Sequence, residues 1–257
     1  MDTADGPRKA GHHDIGMEGY FQAITALQES VIENQGAVLR AAAKQMAATI
    51  NAKGRIFIFG TGHSHMMAEE AFYRAGGLAA AVPIFSSALM LHEKPAFGSH
   101  LERTDGLAEA LLEAYQVQPG EMILIYSNSG VNQLPVEMAI KSKESGLYVV
   151  AVCSLKYARI APLSSLDVRL DEIADLTIDN GGEPGDALLE IKGSNWRVGS
   201  SSTIIGALIW NCLLCECADQ LAASGAELPV FASLNMPGAA EHNQALLKKW
   251  RGLNPHL

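Results

Sequence analysis

A doubly wound αβα sandwich is the fold class this sequence predicts, on two observations. Short apolar runs rich in β-branched and aromatic residues recur along the chain: RIFIF at 55–59, AAAVPIF at 79–85, EMILIY at 121–126, LYVVAV at 147–152 and ADLTID at 174–179. Helix-like stretches separate all but the last pair plainly. The runs are nearly continuously apolar rather than alternating, which is how strands read when helices cover both faces of a parallel sheet.

The bounds agree with that class. A chain of 257 residues with 48% hydrophobic content can bury a full core. The formal net charge of −9, with no Lys/Arg block, excludes nucleic acid as an expected partner, since phosphate backbones need clustered cations. A small anionic ligand stays compatible, because a few backbone amides can hold one locally. The opening MDTADGPRKAGHHDIG lacks an apolar signal core, and no run reaches the roughly 18 apolar residues of a membrane span, so a cytoplasmic protein without membrane contact is expected. The four cysteines fit a reducing compartment: Cys153 ends a β-rich run, and Cys212, Cys215 and Cys217 lie in the helix-like IWNCLLCECADQL. They read as buried small hydrophobes rather than zinc ligands, because no second ligand pair follows Cys212 and Cys215 at a suitable distance.

In chain order, residues 1–16 read as a mobile tail, with His12 and His13 as spacers. From Met17 to about Lys53, the residues Ile24, Leu27, Val31, Val38, Leu39, Met46 and Ile50 recur at helical spacing and predict one long amphipathic helix or two. After the five strand-like runs, the glycine-dense segment from Gly181 to Gly199 breaks the rhythm, with one further candidate strand at Ala187–Ile191. The serines and threonine at 200–203 predict N-caps for a strongly apolar helix, and the chain ends as loop and amphipathic helix. Residues 17–257 are therefore expected to form a single domain that includes both terminal helices.

Ligands of open α/β sheets sit where strands lead into helix N-termini. The first such loop, Gly60-Thr61-Gly62-His63-Ser64-His65, lacks the third glycine of a dinucleotide fingerprint, and the next strand ends in Ser86 and Ser87 rather than in an acid. A nucleotide-binding oxidoreductase is thereby demoted. The second loop, Ser127-Asn128-Ser129-Gly130-Val131-Asn132, follows a strand and precedes a helix with Pro135 in its first turn. Serine and asparagine donors at a helix end, with a glycine that permits close approach, make a cradle for one phosphate. The absence of Lys and Arg from this loop argues for a singly phosphorylated metabolite rather than a triphosphate.

These two loops, about sixty residues apart, resemble the sugar isomerase (SIS) domain, whose second loop reads Ser-x-Ser-Gly-x-Thr/Ser/Asn. The segments SNSGVNQLPVEMA, LMLHE, EPGDALLEIKG, RVGSSST and PGAAEHNQALL are further similar to a bacterial group of stand-alone SIS-domain proteins described as phosphosugar-binding or phosphoheptose-isomerase-like. The resemblance implies a five-stranded parallel sheet of flavodoxin-like order, a phosphosugar ligand and a homodimer or homotetramer. By the family pattern Ser64, Ser127, Ser129 and Asn132 hold the phosphate; Asn128 and Gly130 of the same loop are expected to join them, with Gly62, Ser86, Ser87, Ser201 and Thr203 as further expected ligand contacts. No cofactor is expected.

Aldose–ketose isomerisation needs a base to move a proton between adjacent carbons and an acid to serve the oxygen. Glu93, just past the second strand, is one candidate. His63 and His65 flank Ser64 at a helix opening, where the positive potential favours neutral imidazole. Glu69 lies four residues after His65 and shares its face, while Glu70 points elsewhere. His242 is a candidate by resemblance, since SIS-type isomerases often complete the site with a remote histidine. His63, His65 and Glu69 form too small a set for a metal site to be expected. Two alternatives stand beside the isomerase: a non-catalytic phosphosugar sensor, and an etherase-like lyase, because the glycine-rich stretch loosely resembles a segment of N-acetylmuramic acid 6-phosphate etherases. The apolar N-terminal helix and the Trp210, Leu213 and Leu214 face predict self-association.

Overall fold

The computed structural model describes residues 15–257. Residues 1–14, with His12 and His13 of the expected tail, lie outside the described residues. The chain opens with α1 (Met17–Asn51), one helix of 35 residues rather than two. No proline interrupts it, and Ile24, Val31, Leu39, Met46 and Ile50 bury one continuous stripe.

Then follow β1 (Ile56–Gly60), a 3₁₀ turn (Gly62–His65), α2 (Met66–Ala71), β2 (Ala81–Pro83), a second 3₁₀ turn (Ser87–Leu89), α3 (Pro95–Leu101), α4 (Leu107–Ala114) and β3 (Met122–Tyr126). The second half continues through α5 (Gln133–Glu144), β4 (Tyr148–Cys153), α6 (Leu155–Ile160), α7 (Leu170–Ile173) and β5 (Leu176–Asp179). These five strands form one parallel sheet in the order β2-β1-β3-β4-β5. A hairpin of β6 (Ala187–Glu190) and β7 (Arg197–Ser200) leads into α8 (Ser202–Ala223) and finally α9 (Ala239–Trp250).

Both faces of the sheet are buried, as the unbroken apolar runs require. Ile56, Ile58, Met122, Leu124, Val150 and Val152 pack with α1, α2 and α8 on one side. Phe57, Phe59, Ile123, Ile125, Val149 and Ala151 pack with α4 and α5 on the other. The strand order reverses between β1 and β3, which pair from Ile56↔Met122 to Gly60↔Tyr126, so a crevice opens beyond their carboxyl ends.

Four expectations need correction. The run at 79–85 is a strand only over Ala81–Pro83, at the sheet edge, where a proline that cannot donate is tolerated. By length and composition α8 is apolar enough to cross a membrane, which the sequence reading had denied. It lies instead along α1, and Trp210 and Leu213 are fully buried, with Leu214 nearly so. That face is therefore consumed by the core; the exposed apolar side chains include Met17, Phe21 and Ile32 of α1, Trp196 and Val198 of the hairpin, and Ile204. Among the cysteines, Cys153 and Cys217 are buried, with thiols pushed up to about 12 by burial, but Cys215 is exposed.

At the opposite end of the strands Arg55 and Glu121 are both buried. Arg55 Nε and Nη2 donate to the two Glu121 oxygens at 2.5 and 2.7 Å. The remaining Arg55 donors reach the carbonyls of Tyr115, Gln116 and Leu253. The C-terminal segment runs on past the edge strand: Asn254 Nδ2 donates to the Ala81 carbonyl, and the His256 ring packs on Phe85 and bonds the Tyr115 hydroxyl at 2.7 Å.

Candidate functional site

The crevice at the switch point is a narrow cleft. Its walls are His63, Ser64 and Met67 from the first loop and α2, Tyr126, Ser127 and Asn128 from the end of β3 and the loop after it, Val152 near the end of β4, Asn180 just past β5, and Ser202, Thr203 and Gly206 from α8. The enclosed room is ≈ 10 Å³, about one water.

Local sequence dictates how the walls meet. A side chain at Gly60 would overlap the carbonyl of Ser64, so the turn into α2 can close this tightly only on glycine. Gly62 and Gly130 both sit at positive φ, +56° and +64°, and each reverses the chain directly after a core strand. Glu102, just past α3, ties the two loops together: its carboxylate accepts from the Thr61 hydroxyl, and its carbonyl accepts from the Leu134 amide at 2.9 Å.

The second loop is rich in unused donors. Among the described residues, the backbone amides of Asn128 to Asn132 donate to no protein acceptor, and the N-cap Asn132 leaves the first turn of α5 without a side-chain cap. Asn128 Oδ1 accepts from Asn180 Nδ2 at 2.8 Å, whose own Oδ1 accepts from the Gly182 amide at 2.9 Å. That chain fixes the Asn128 amide with its Nδ2 donor unpartnered and buried, and the Tyr126 hydroxyl is equally buried and unpartnered. Burial holds the Tyr126 phenol protonated by raising its pKa well above the ordinary range, so it is a neutral donor. No Lys or Arg lines the cleft, and His63 is the one basic side chain there.

His65 is not at this surface. It is 1% exposed, stacks on Phe85 at 5.4 Å between ring centroids, and its Nε2 faces the Ser86 amide at 3.4 Å. Its pKa is lowered, mainly because burial disfavours imidazolium; the adjacent Glu69 opposes that shift. Helix-end potential is thus not the main cause. Its Nδ1 lies 3.7 Å from the half-exposed Glu69 carboxylate and makes no hydrogen bond.

The other sequence candidates divide clearly. Ser64, Ser127, Asn128 and Thr203 line the cleft with His63, while Ser129, Gly130 and Asn132 follow in the same loop outside its wall, with amides that donate to no acceptor among the described residues. Asn132 also faces a shallower groove beside Arg103 and Gln133. Glu93 is exposed in the turn after Ser87–Leu89, in a segment whose Leu91 packs toward Gly62, and among the described residues no hydrogen bond or ion pair engages its carboxylate. Ser86 and Ser87 lie beside His65, outside the cleft wall. Glu70 is engaged by Arg74 and Asn211. His242 bonds the Val230 carbonyl at 2.8 Å; Val230 bridges Leu78 ahead of β2, at the far end of the strands, so one chain does not bring His242 to its own cleft.

The predicted serine caps of α8 are reversed. Ser201 and Ser202 do not accept from the helix amides; Asp186 does, at 3.1 and 2.8 Å, and both hydroxyls also donate to it, at 3.2 and 2.6 Å. Ser201 is fully buried by this arrangement. Among the described residues no group of three or more His, Cys, Asp or Glu side chains is placed to hold a metal. Sequence reasoning missed Tyr126, Asn180, Met67, Gly206 and Asp186; the only signal was a tyrosine ending a core strand immediately before a serine loop.

Comparison with known proteins adds the following. A family model described as SIS domain matches residues 19–154. A UPF0309 protein of Brucella canis is 39% identical over 238 residues, 93% of this chain and 97% of its own, and a UPF0309 protein of Brucella anthropi is 40% identical over the same span. Among solved structures, a phosphoheptose isomerase of Francisella tularensis aligns with TM-score 0.53 at 13% identity, over 78% of this chain and 95% of its own. One from Neisseria gonorrhoeae aligns with TM-score 0.51 at 18% identity, over 77% and 95%. At these identities the likeness is one of fold.

Proposed function

The chain belongs to the SIS-domain family, and from that premise we propose that it binds a phosphorylated sugar and moves a proton between adjacent sugar carbons. The observation that carries the reading is the pair of buried, unpartnered donors, Tyr126 Oη and Asn128 Nδ2, set in the cleft beside the open amides of residues 128–132. Unpaired buried donors cost stability, about 1–3 kcal/mol each, and an oxygen-rich ligand satisfies them. Phosphate sits on the loop amides and the positive end of α5. The sugar then extends past His63 toward Thr203, widening a cleft that has room for one water alone.

In this reading His63, which lines the cleft, serves an oxygen of the sugar as acid or base, and Glu93, in the neighbouring segment, is the candidate for the carbon proton. A homodimer or homotetramer, with His242 or Glu93 reaching a partner's cleft, completes this reading; light scattering checks the assembly. The sensor remains as second reading on one observation: besides the buried Tyr126, His63 is the sole titratable side chain lining the cleft, which is thin equipment for a two-group proton transfer.

The test is a panel of aldose and ketose phosphates in D₂O, followed by NMR at the carbon beside the carbonyl. Exchange that is lost in Glu93→Gln or His63→Gln with binding retained supports the enzyme. Saturable binding without exchange for any member leaves the sensor. Absence of binding across the panel sinks both.

A further inference from the structure

The two helix ends that meet at the cleft are treated in opposite ways. In the loop at 128–132 that leads into α5 the amides are open, while inside the helix the Leu134 amide is taken by the Glu102 carbonyl. At α8 the Asp186 carboxylate takes the first two amides, of Ser201 and Ser202, and both of their hydroxyls. Asp186 is held there at some cost, since its φ of +61° is a left-handed conformation that non-glycine residues rarely adopt. The hairpin carrying it is pinned to α1: Tyr20 Oη donates to the Ser200 carbonyl at 2.6 Å, and the Tyr20 ring lies where a side chain on Gly199 would be.

The arrangement gives the cleft a polarity. Ser202, which lines it, sends its proton to Asp186 Oδ2, so toward a ligand its oxygen can only accept. A sugar hydroxyl can donate to it. A second phosphate or a carboxylate cannot, and meets a fixed negative charge at a helix end that would otherwise attract it.

We propose that Asp186 is a positioning residue that sets specificity: acting through Ser202, it reserves the α8 end of the cleft for neutral hydroxyls and confines the ligand's anionic group to the loop at 128–132. This rests on the phosphosugar reading for its biological meaning, but not for its test.

The first arm needs no sugar. Inorganic phosphate is titrated into ¹⁵N-labelled protein. In the wild type, saturable shifts are expected at the amides of residues 128–132 and none at 201–203; in Asp186→Asn, a second set is expected at 201–203. Saturable shifts at 201–203 in the wild type, or none there in a folded Asp186→Asn, overturn the proposal. The second arm compares a hexose monophosphate with the corresponding bisphosphate by calorimetry. The wild type should favour the monophosphate by about tenfold, the scale of a misplaced like charge, and Asp186→Asn should narrow the gap while Ser129→Ala weakens both ligands alike. Should Asp186→Asn not fold, the wild-type ratio decides: equal or tighter bisphosphate binding overturns the proposal. If no sugar phosphate binds while the phosphate shifts follow the expected pattern, the functional reading fails and the role of Asp186 stands.

Discussion

The two ends of the parallel sheet handle polar groups in contrary ways. At the amino ends of the strands, Arg55 and Glu121 form a buried ion pair in which the Glu121 carboxylate also accepts from the Arg55 and Gln118 amides. The guanidinium lies 4.8 Å from the Phe57 ring centroid. At the carboxyl ends the cleft wall holds no ion pair among the described residues; two neutral donors there are buried with nothing to bond, and the Asp186 carboxylate stands behind Ser202. The ion pair at the amino ends satisfies its own members, and although Ser142 Oγ, Trp210 Nε1 and Trp250 Nε1 are also buried without a partner, only Tyr126 Oη and Asn128 Nδ2 of the unpartnered donors line this cleft. Counting ionised residues would have pointed to the wrong end of the molecule.

The largest break in this contrast should come from Arg55→Met. It strands the Glu121 carboxylate in a buried position and should cost about 3–5 kcal/mol in urea unfolding, while any protein that remains folded binds ligand as before. Ser127→Ala, at the other end, should leave the unfolding midpoint nearly unchanged and weaken sugar-phosphate binding by about 1–3 kcal/mol in calorimetry. Equal loss of stability in the two variants would erase the distinction between the ends.

Tyr126→Phe sharpens the comparison further. Deleting a buried hydroxyl without a partner should raise apo stability by about 1 kcal/mol and at the same time reduce ligand affinity, a sign reversal that no purely structural tyrosine would give. The smallest effect concerns His65, next to the cleft but sealed. Its folded pKa lies below the ordinary 6.5 because of burial. The unfolded chain therefore takes up the proton first, and stability should fall as pH drops from 6.5 through that lowered value. Melting temperatures recorded near neutrality and near pH 5 should converge in His65→Gln relative to the wild type.

How much of this was legible in the sequence follows from the range of the interactions concerned. Strands whose residues are buried on both faces announce themselves by composition, so β1, β3 and β4 were placed almost to the residue. The serine loop was legible too, because its donors, its glycine and the helix it opens are contiguous. What could not be read depends on distant segments. Asp186 and Ser202 are sixteen apart and flank a hairpin of which only one strand is legible in the sequence. The Trp210 face looked like an interface because nothing local says that a helix 35 residues long lies across it. His65 and His63 were indistinguishable on paper; one turn of 3₁₀ helix puts the first against Phe85 and the second in the cleft.

The hairpin has one last consequence, an optical one. Of the three tryptophans, Trp210 and Trp250 are buried, whereas Trp196 stands on the hairpin at 78% exposure. Intrinsic fluorescence thus separates into a blue, shielded component from the core and a red, quencher-accessible component from the strand pair that leads into Ser202 of the cleft wall. Acrylamide quenching of the red component gives a label-free way to follow whether that wall moves when the cleft fills.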